Sequence, residues 1–154
     1  MKTVKAIVRA GHRVASGEST SDRRFPGGTI RMQEPFFKER GLDFNAFFGG
    51  DFVYGTLNLS IAPHRFKIAS PEFFFQNVKW TDVFPPENFY FSPAEVGFRK
   101  KNYKALIYIP DPATKPDHFQ DPSVIEVIAE RVDGLSYDDE VILSYPAEAL
   151  EITT

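Results

Sequence analysis

Proline and glycine interrupt this chain at short intervals, and this spacing limits the length of any regular element that the chain can form. The 154 residues include 12 Pro and 10 Gly, and the segments between them are rich in aromatic side chains, with 16 Phe and 6 Tyr. Short segments of this kind are typical of strands and turns rather than of long helices. We therefore predict a mainly β protein that forms a single domain over residues 1–154.

Alternating or continuous apolar runs predict about eight or nine short strands. The clearest of them occupy residues 4–9, 54–61, 103–109, 124–129 and 140–145. We also expect a hairpin between 54–61 and 64–68, further short strands at 29–32, 89–91 and 96–99, one short helix at 33–42, and loops at 11–24, 45–51 and 111–123. Strands do not alternate with helices, so we predict a small closed or nearly closed barrel, in which closure removes the exposed strand edges.

Charge and cysteine content exclude several classes of protein. The net charge is −3 and no basic surplus is visible, which disfavours a nucleic-acid-binding protein. The chain contains no Cys, which excludes disulfides, thiolate nucleophiles and zinc–sulfur sites. No apolar run approaches the ~18 residues of a membrane helix, and residues 1–9 are interpreted as a strand rather than a signal peptide. We expect a cytoplasmic protein that has no membrane partner and binds small molecules; its oligomeric state is left open.

The common sequence motifs of nucleotide, metal and acyl-transfer sites are absent. The sequence contains neither the P-loop pattern GxxxxGK[ST] nor the dinucleotide pattern GxGxxG, and no Ser lies in a GxSxG turn. The three His residues are far apart in the sequence, at positions 12, 64 and 118. A function must therefore come from a less familiar arrangement.

The segment Gly55-Thr56-Leu57-Asn58 is the first candidate site. Thr56 and Asn58 are two residues apart on a predicted strand, so their side chains leave the same face. A hydroxyl and an amide oxygen together are suitable ligands for Mg²⁺, which takes few protein ligands and completes its shell with phosphates and water. The competing interpretation is a glycine turn followed by an ordinary polar strand face.

Glu126 is the second candidate, because it is the one acid in the apolar segment Val124-Ile125-Glu126-Val127-Ile128. It either accepts a hydrogen bond from a ligand or is simply a solvent-facing residue of an alternating strand. The third candidate is the Ser- and Gly-containing loop over residues 14–21, whose backbone N–H groups and hydroxyls are suited to an anion. A plain surface loop is the alternative there.

Three blocks of sequence resemble the archaeal-type CTP-dependent riboflavin kinases. The first is Ala15-Ser16-Gly17, and the second is Gly55-Thr56-Leu57-Asn58-Leu59. The third runs from Ala105-Leu106-Ile107-Tyr108-Ile109-Pro110 through Val124-Ile125-Glu126-Val127-Ile128-Ala129 to Gly134-Leu135 and Asp138-Asp139-Glu140-Val141. The order and spacing of these blocks carry the likeness, which spans most of the chain loosely.

The resemblance implies a six-stranded cradle-loop barrel that transfers the γ-phosphoryl group of CTP to the ribityl 5′-hydroxyl of riboflavin and so forms FMN. It implies that Thr56 and Asn58 hold Mg²⁺ and that Glu126, as the catalytic residue, binds the flavin substrate and orients its hydroxyl. Thr114 would assist from the preceding loop. The residues implied at the nucleotide are Val14, Ala15, Ser16, Gly17, Glu18, Ser19, Arg131, Val132, Asp133 and Gly134. Phosphate-binding cations remain open among Arg13, Arg23, Arg24 and Lys100.

The chain departs from the family pattern at the nucleotide. Gly17 is followed by Glu18-Ser19-Thr20-Ser21 where the family has a glycine-rich run, and Val132-Asp133 replaces a Leu-Arg pair. Glycines allow the backbone to approach phosphates closely, and an acid repels them. Three hypotheses follow: a riboflavin kinase or near relative, a non-catalytic barrel that binds a flavin or another small ligand, or a structural or interaction domain.

Overall fold

A six-stranded antiparallel barrel forms the body of the protein, as predicted. The computed structural model describes residues 1–10, 28–114 and 121–154. Across these residues 46% are in strands and 12% in helices. The elements are β1 (Lys2–Arg9), α1 (Thr29–Glu39), α2 (Phe44–Phe48), β2 (Leu57–Ser60), β3 (Arg65–Ile68), β4 (Phe73–Val78), β5 (Glu87–Phe98), β6 (Lys101–Pro110), β7 (Val124–Ala129), β8 (Glu140–Tyr145) and β9 (Leu150–Thr153).

The barrel closes because β5 pairs with β8 as well as with β4 and β6. The sheet order is β4-β5-β6-β7-β2-β1-β8, so the extra β5–β8 pairing joins its ends and leaves β4 as an added strand. Strand alternation directs Leu59, Ile107, Ile125, Val127 and Leu143 into the barrel, where each is at most 1% exposed. This interior is the first hydrophobic core.

A second core lies on the outer face of the barrel, under α1. The helix buries Ile30, Gln33 and Phe37, which recur at the spacing of one helical face. The centroid of the Phe37 ring lies 5.0 Å from that of Phe89 and 4.9 Å from that of Phe91, in edge-to-face contacts. Removing the Phe37 side chain would cost about 3–5 kcal/mol of stability, the usual range for a buried Phe→Ala change. No helix among the described residues has the length and apolar character needed to cross a membrane.

The strand predicted at residues 29–32 is wrong, because these residues form the first turn of α1. Thr29 and Ile30 suit a strand by propensity, but Ile30 is fully buried against the outer core, and this packing decides the conformation. The helix predicted at 33–42 is α1, which spans Thr29–Glu39 and so begins and ends earlier than predicted. Pro35 lies within α1 on an exposed side, where the carbonyl that lacks its N–H partner can bond water.

The loop predicted at residues 45–51 is wrong in its first part, because residues 45–48 belong to the short helix α2. Asp43 caps this short helix by accepting hydrogen bonds from Asn45 N at 3.0 Å and Ala46 N at 3.4 Å. Gly49 ends it in the left-handed conformation, with φ of 66°.

Two strand pairings differ from the prediction. Residues 64–68 do not form a hairpin with β2, because β1 and β7 occupy both edges of β2; β3 pairs with β9 instead. The predicted strands at 89–91 and 96–99 form the single strand β5. Pro93 is tolerated there because it lies between the part of β5 that pairs with β4 and the part that pairs with β8.

Candidate active site

Strands β2 and β7 bring Thr56, Asn58 and Glu126 together. Asn58 is the register partner of Glu126, and Leu57 is the partner of Val127. Directly paired residues on antiparallel strands point to the same face, with Cβ atoms about 4.5–5.5 Å apart. Leu57 and its neighbours at odd positions enter the barrel, so Asn58 and Glu126 lie on the outer face.

The Thr56 hydroxyl donates a hydrogen bond to Glu126, with 3.1 Å between Oγ1 and Oε1. Both side chains are partly buried, as is Asn58. Since the proton of the hydroxyl is directed at the carboxylate, the lone pairs of Oγ1 point elsewhere and can act as a ligand. The pair is therefore oriented, which a plain polar strand face does not require.

The donor atoms of this cluster fit a hard cation. Thr56 offers a hydroxyl oxygen, Asn58 an amide oxygen and Glu126 a carboxylate, and oxygen ligands of this kind suit Mg²⁺. Among the described residues no group of three or more His, Asp or Glu side chains is placed to hold a metal ion. A cation held here would rely on Thr56 and Asn58 and take its other ligands from phosphate and water.

A buried tyrosine on β6 lies next to Glu126. Ile107 of β6 pairs with Val127 of β7. Because the strands are antiparallel, the next residue of β6, Tyr108, lies beside Glu126 of β7. The Tyr108 hydroxyl donates to Oε1 of Gln33 at 2.7 Å, and both residues are buried. Burial first, and then the charges of Glu126 and Glu87, raise the pKa of Tyr108 well above its ordinary value. The hydrogen bond between Tyr108 and Gln33 therefore holds helix α1 beside Glu126.

Tyr54, Glu34 and Arg31 form a second polar group between α1 and the start of β2. The Tyr54 hydroxyl donates to both carboxylate oxygens of Glu34, at 3.0 and 3.1 Å. The Arg31 guanidinium carbon lies 4.0 Å from the centroid of the Tyr54 ring. Desolvation, the hydrogen bond to Glu34 and its charge raise the pKa of Tyr54, and the positive charge of Arg31 opposes this. Sequence reasoning missed this group, because only the position of α1 brings it together.

Arg131, Val132, Asp133 and Gly134 lie in the loop after β7, at the end of the barrel where β2 begins. Val53 N donates to Ala129 O at 3.0 Å, which joins the chain before β2 to the end of β7. A Cβ atom at Gly134, where φ is 75°, would lie 2.7 Å from Nη1 of Arg99. The loop therefore lies against the β5–β6 turn that also carries Lys100. Its role at a nucleotide stays a prediction.

Thr114 lies at the opposite end of the barrel, just past the end of β6. Its hydroxyl accepts a hydrogen bond from Asn88 N at 2.9 Å and donates to Asp111 O at 3.3 Å. These contacts give Thr114 a role in the turn that follows β6, and its assistance to Glu126 stays a prediction. The predicted nucleotide residues Val14, Ala15, Ser16, Gly17, Glu18 and Ser19, with Arg13, Arg23 and Arg24, lie outside the described residues.

Comparison with known proteins assigns no family to this chain. No protein-family model matches it, and no curated protein matches it either. The resemblance to riboflavin kinases and the activity that it implies therefore stay predictions.

Proposed function

We propose that this protein is a small-molecule kinase, similar to the CTP-dependent riboflavin kinases, that converts riboflavin to FMN. The observation that carries the proposal is the oriented cluster on the outer face of the barrel: Thr56 hydrogen-bonded to Glu126 at 3.1 Å, with Asn58 directly across from Glu126. It combines ligands for a phosphate-bound cation with an acceptor for a hydroxyl proton, the two requirements of phosphoryl transfer to an alcohol.

In the proposed reaction the ribityl 5′-oxygen attacks the γ-phosphorus of CTP. The bond from this phosphorus to its bridging oxygen breaks, CDP leaves, and the proton of the hydroxyl is released to a base. An ionised carboxylate only accepts hydrogen bonds, so Glu126 would accept the hydrogen bond of the substrate hydroxyl and fix its direction of attack. Positioning of this kind supplies much of the rate enhancement when the transition state is loose.

Thr56 and Asn58 would hold Mg²⁺, which neutralises phosphate charge when it is bound. Both ligands are neutral, so the positive charge of the ion stays available to the phosphates. The Tyr108–Gln33 hydrogen bond would keep α1 beside Glu126 and limit water access from that side. The lack of Cys is compatible with the cytoplasm, which the proposal expects as the location.

A second candidate function is a non-catalytic barrel that binds a flavin or another small ligand. Glu18 and the residues after it favour this function, because they replace the glycines that would let the backbone approach a triphosphate. In that case the hydrogen bond between Thr56 and Glu126 would serve ligand binding alone.

Purified protein incubated with riboflavin, Mg²⁺ and each of CTP, ATP and GTP would test the proposal, with FMN measured by chromatography and fluorescence. We expect FMN to form with CTP, and to be lost in Asn58→Ala and Glu126→Gln. Asn45→Ala and Glu151→Gln are matched controls, since both residues are exposed and belong to α2 and β9. Riboflavin binding without FMN from any nucleotide would favour the non-catalytic barrel, and neither binding nor turnover would refute both functions.

A further inference from the structure

An arginine lies in line with the candidate active site. Arg9, the last residue of β1, is the register partner of Asn58, which in turn is the partner of Glu126. Ala6 and Val8 of β1 point into the barrel, so Arg9 points out of it. Arg9, Asn58 and Glu126 therefore form one row across three neighbouring strands, all on the outer face.

Asp138 holds the Arg9 side chain at this position. The Arg9 guanidinium donates a hydrogen bond to Oδ1 of Asp138 and forms an ion pair with it. Asp138 is itself tied to β1, because its N–H donates to Val8 O at 2.8 Å and Val8 N donates to Asp139 O at 3.0 Å. Asp138 is also held at a positive φ of 74°. The arginine thus has a fixed partner on the side of the row away from Asn58.

The guanidinium retains the capacity to bind an anion. It carries five N–H donors in a planar arrangement, and the hydrogen bond to Asp138 uses one nitrogen. The Arg9 side chain is 49% exposed, so a ligand can reach it. Two cross-strand steps separate Arg9 from Glu126, which is roughly 10 Å between Cβ atoms. A phosphate group bound near Asn58 would lie within reach of both side chains.

We propose that Arg9 binds the phosphate groups of the ligand, in competition with its ion-pair partner Asp138. Arginine suits this task because its fork donates two parallel hydrogen bonds to phosphate oxygens. The inference deepens the kinase proposal and rests on it for the nature of the anion, a polyphosphate bound with Mg²⁺. It also provides a phosphate-binding cation within the described residues.

The alternative role for Arg9 is structural, in which its ion pair only fastens the turn before β8 to the end of β1. The two roles predict different responses to loss of the partner. If Arg9 binds phosphate, Asp138→Asn removes a negative charge beside the anion and strengthens binding, while Asn still tolerates the positive φ. If the role is structural, neither Arg9→Gln nor Asp138→Asn changes phosphate affinity.

Calorimetric titration of inorganic tripolyphosphate in the presence of Mg²⁺ at low ionic strength would test the inference. We expect Arg9→Gln to weaken binding roughly 10-fold or more, the factor that corresponds to a lost charge-assisted hydrogen bond. Lys5→Gln is the matched control: Lys5 is an exposed cation on the same face of β1, but its register partner is Ile142 of β8. It should bind like the wild type, and Asp138→Asn should bind more tightly.

The outcomes separate this inference from the kinase proposal. If Arg9→Gln matches Lys5→Gln in tripolyphosphate affinity and in the KM for nucleotide, the assignment of Arg9 is wrong. The kinase proposal then stands when the wild type forms FMN. If the wild type neither binds tripolyphosphate nor forms FMN, both are wrong. Circular dichroism of each variant confirms that the barrel is folded before affinities are compared.

Discussion

The hydrogen bond between Tyr108 and Gln33 gives the sharpest prediction about how α1 is held on the barrel. The two residues are 4% and 2% exposed, and 2.7 Å separates the hydroxyl oxygen from Oε1. Tyr108→Phe leaves the Gln33 amide oxygen buried without this donor, which should lower the free energy of unfolding by about 1–3 kcal/mol. Gln33→Met, which keeps the length of the side chain, should cost a similar amount because it leaves the Tyr108 hydroxyl unpaired.

The double variant decides whether this reasoning is right. Replacing both partners with apolar groups of similar shape removes the unsatisfied atom, so Gln33→Met/Tyr108→Phe should be more stable than the sum of the single changes predicts. We expect a coupling energy of about 1–2 kcal/mol. Urea unfolding followed by the fluorescence of Trp80, the one tryptophan of the chain, measures it. Additive single effects, or a Tyr108→Phe variant as stable as the wild type, would refute the account of how α1 is held.

Three further changes have predictable outcomes. The raised pKa of Tyr108 means that above pH about 10 the unfolded chain loses the Tyr108 hydroxyl proton before the folded protein does. The free energy of unfolding should therefore fall as the pH rises above about 10. In urea unfolding at a series of pH values, Tyr108→Phe should make this fall less steep. Asp43→Ala removes the cap of α2 and should cost about 1 kcal/mol by the same assay. Thr56→Val removes the hydrogen-bond donor to Glu126 and should reduce FMN formation. The thermal unfolding midpoint should change little, because both side chains are only partly buried. An unfolded Thr56→Val variant or unchanged turnover would contradict the role of Thr56 in the site.

The strands that carry the candidate site could be predicted from sequence because their pattern is local. The segment over β7 is apolar and β-branched, and the prediction placed this strand at residues 124–129, where it lies. Strand β2 lies within the predicted range 54–61 but is shorter, at Leu57–Ser60. The positions of Thr56 and Asn58 on one face follow from strand alternation alone. That Glu126 meets them depends on the β2–β7 pairing, which the local sequence pattern did not show.

The parts that could not be predicted depend on contacts between distant residues. Ile30 has the propensity of a strand residue, and only its burial under the aromatic outer core makes it helical. Likewise, residues 64–68 follow a turn at Pro63, and nothing local shows that both edges of β2 are already occupied. The row from Arg9 to Glu126 was hidden for the same reason, since it joins three strands that are far apart in sequence.

Paramagnetic broadening by Mn²⁺ in place of Mg²⁺ tests the central claim most directly. In a nitrogen–proton spectrum recorded with Mn²⁺ and CTP, we predict that amide signals of Leu57–Ser60 and Val124–Ala129 broaden first, while those of Arg65–Ile68 do not. Asn58→Ala should abolish this pattern. Broadening confined to the acidic turn around Asp138, or an Asn58→Ala spectrum identical to the wild type, would contradict a metal-assisted site on the outer face of β2 and β7.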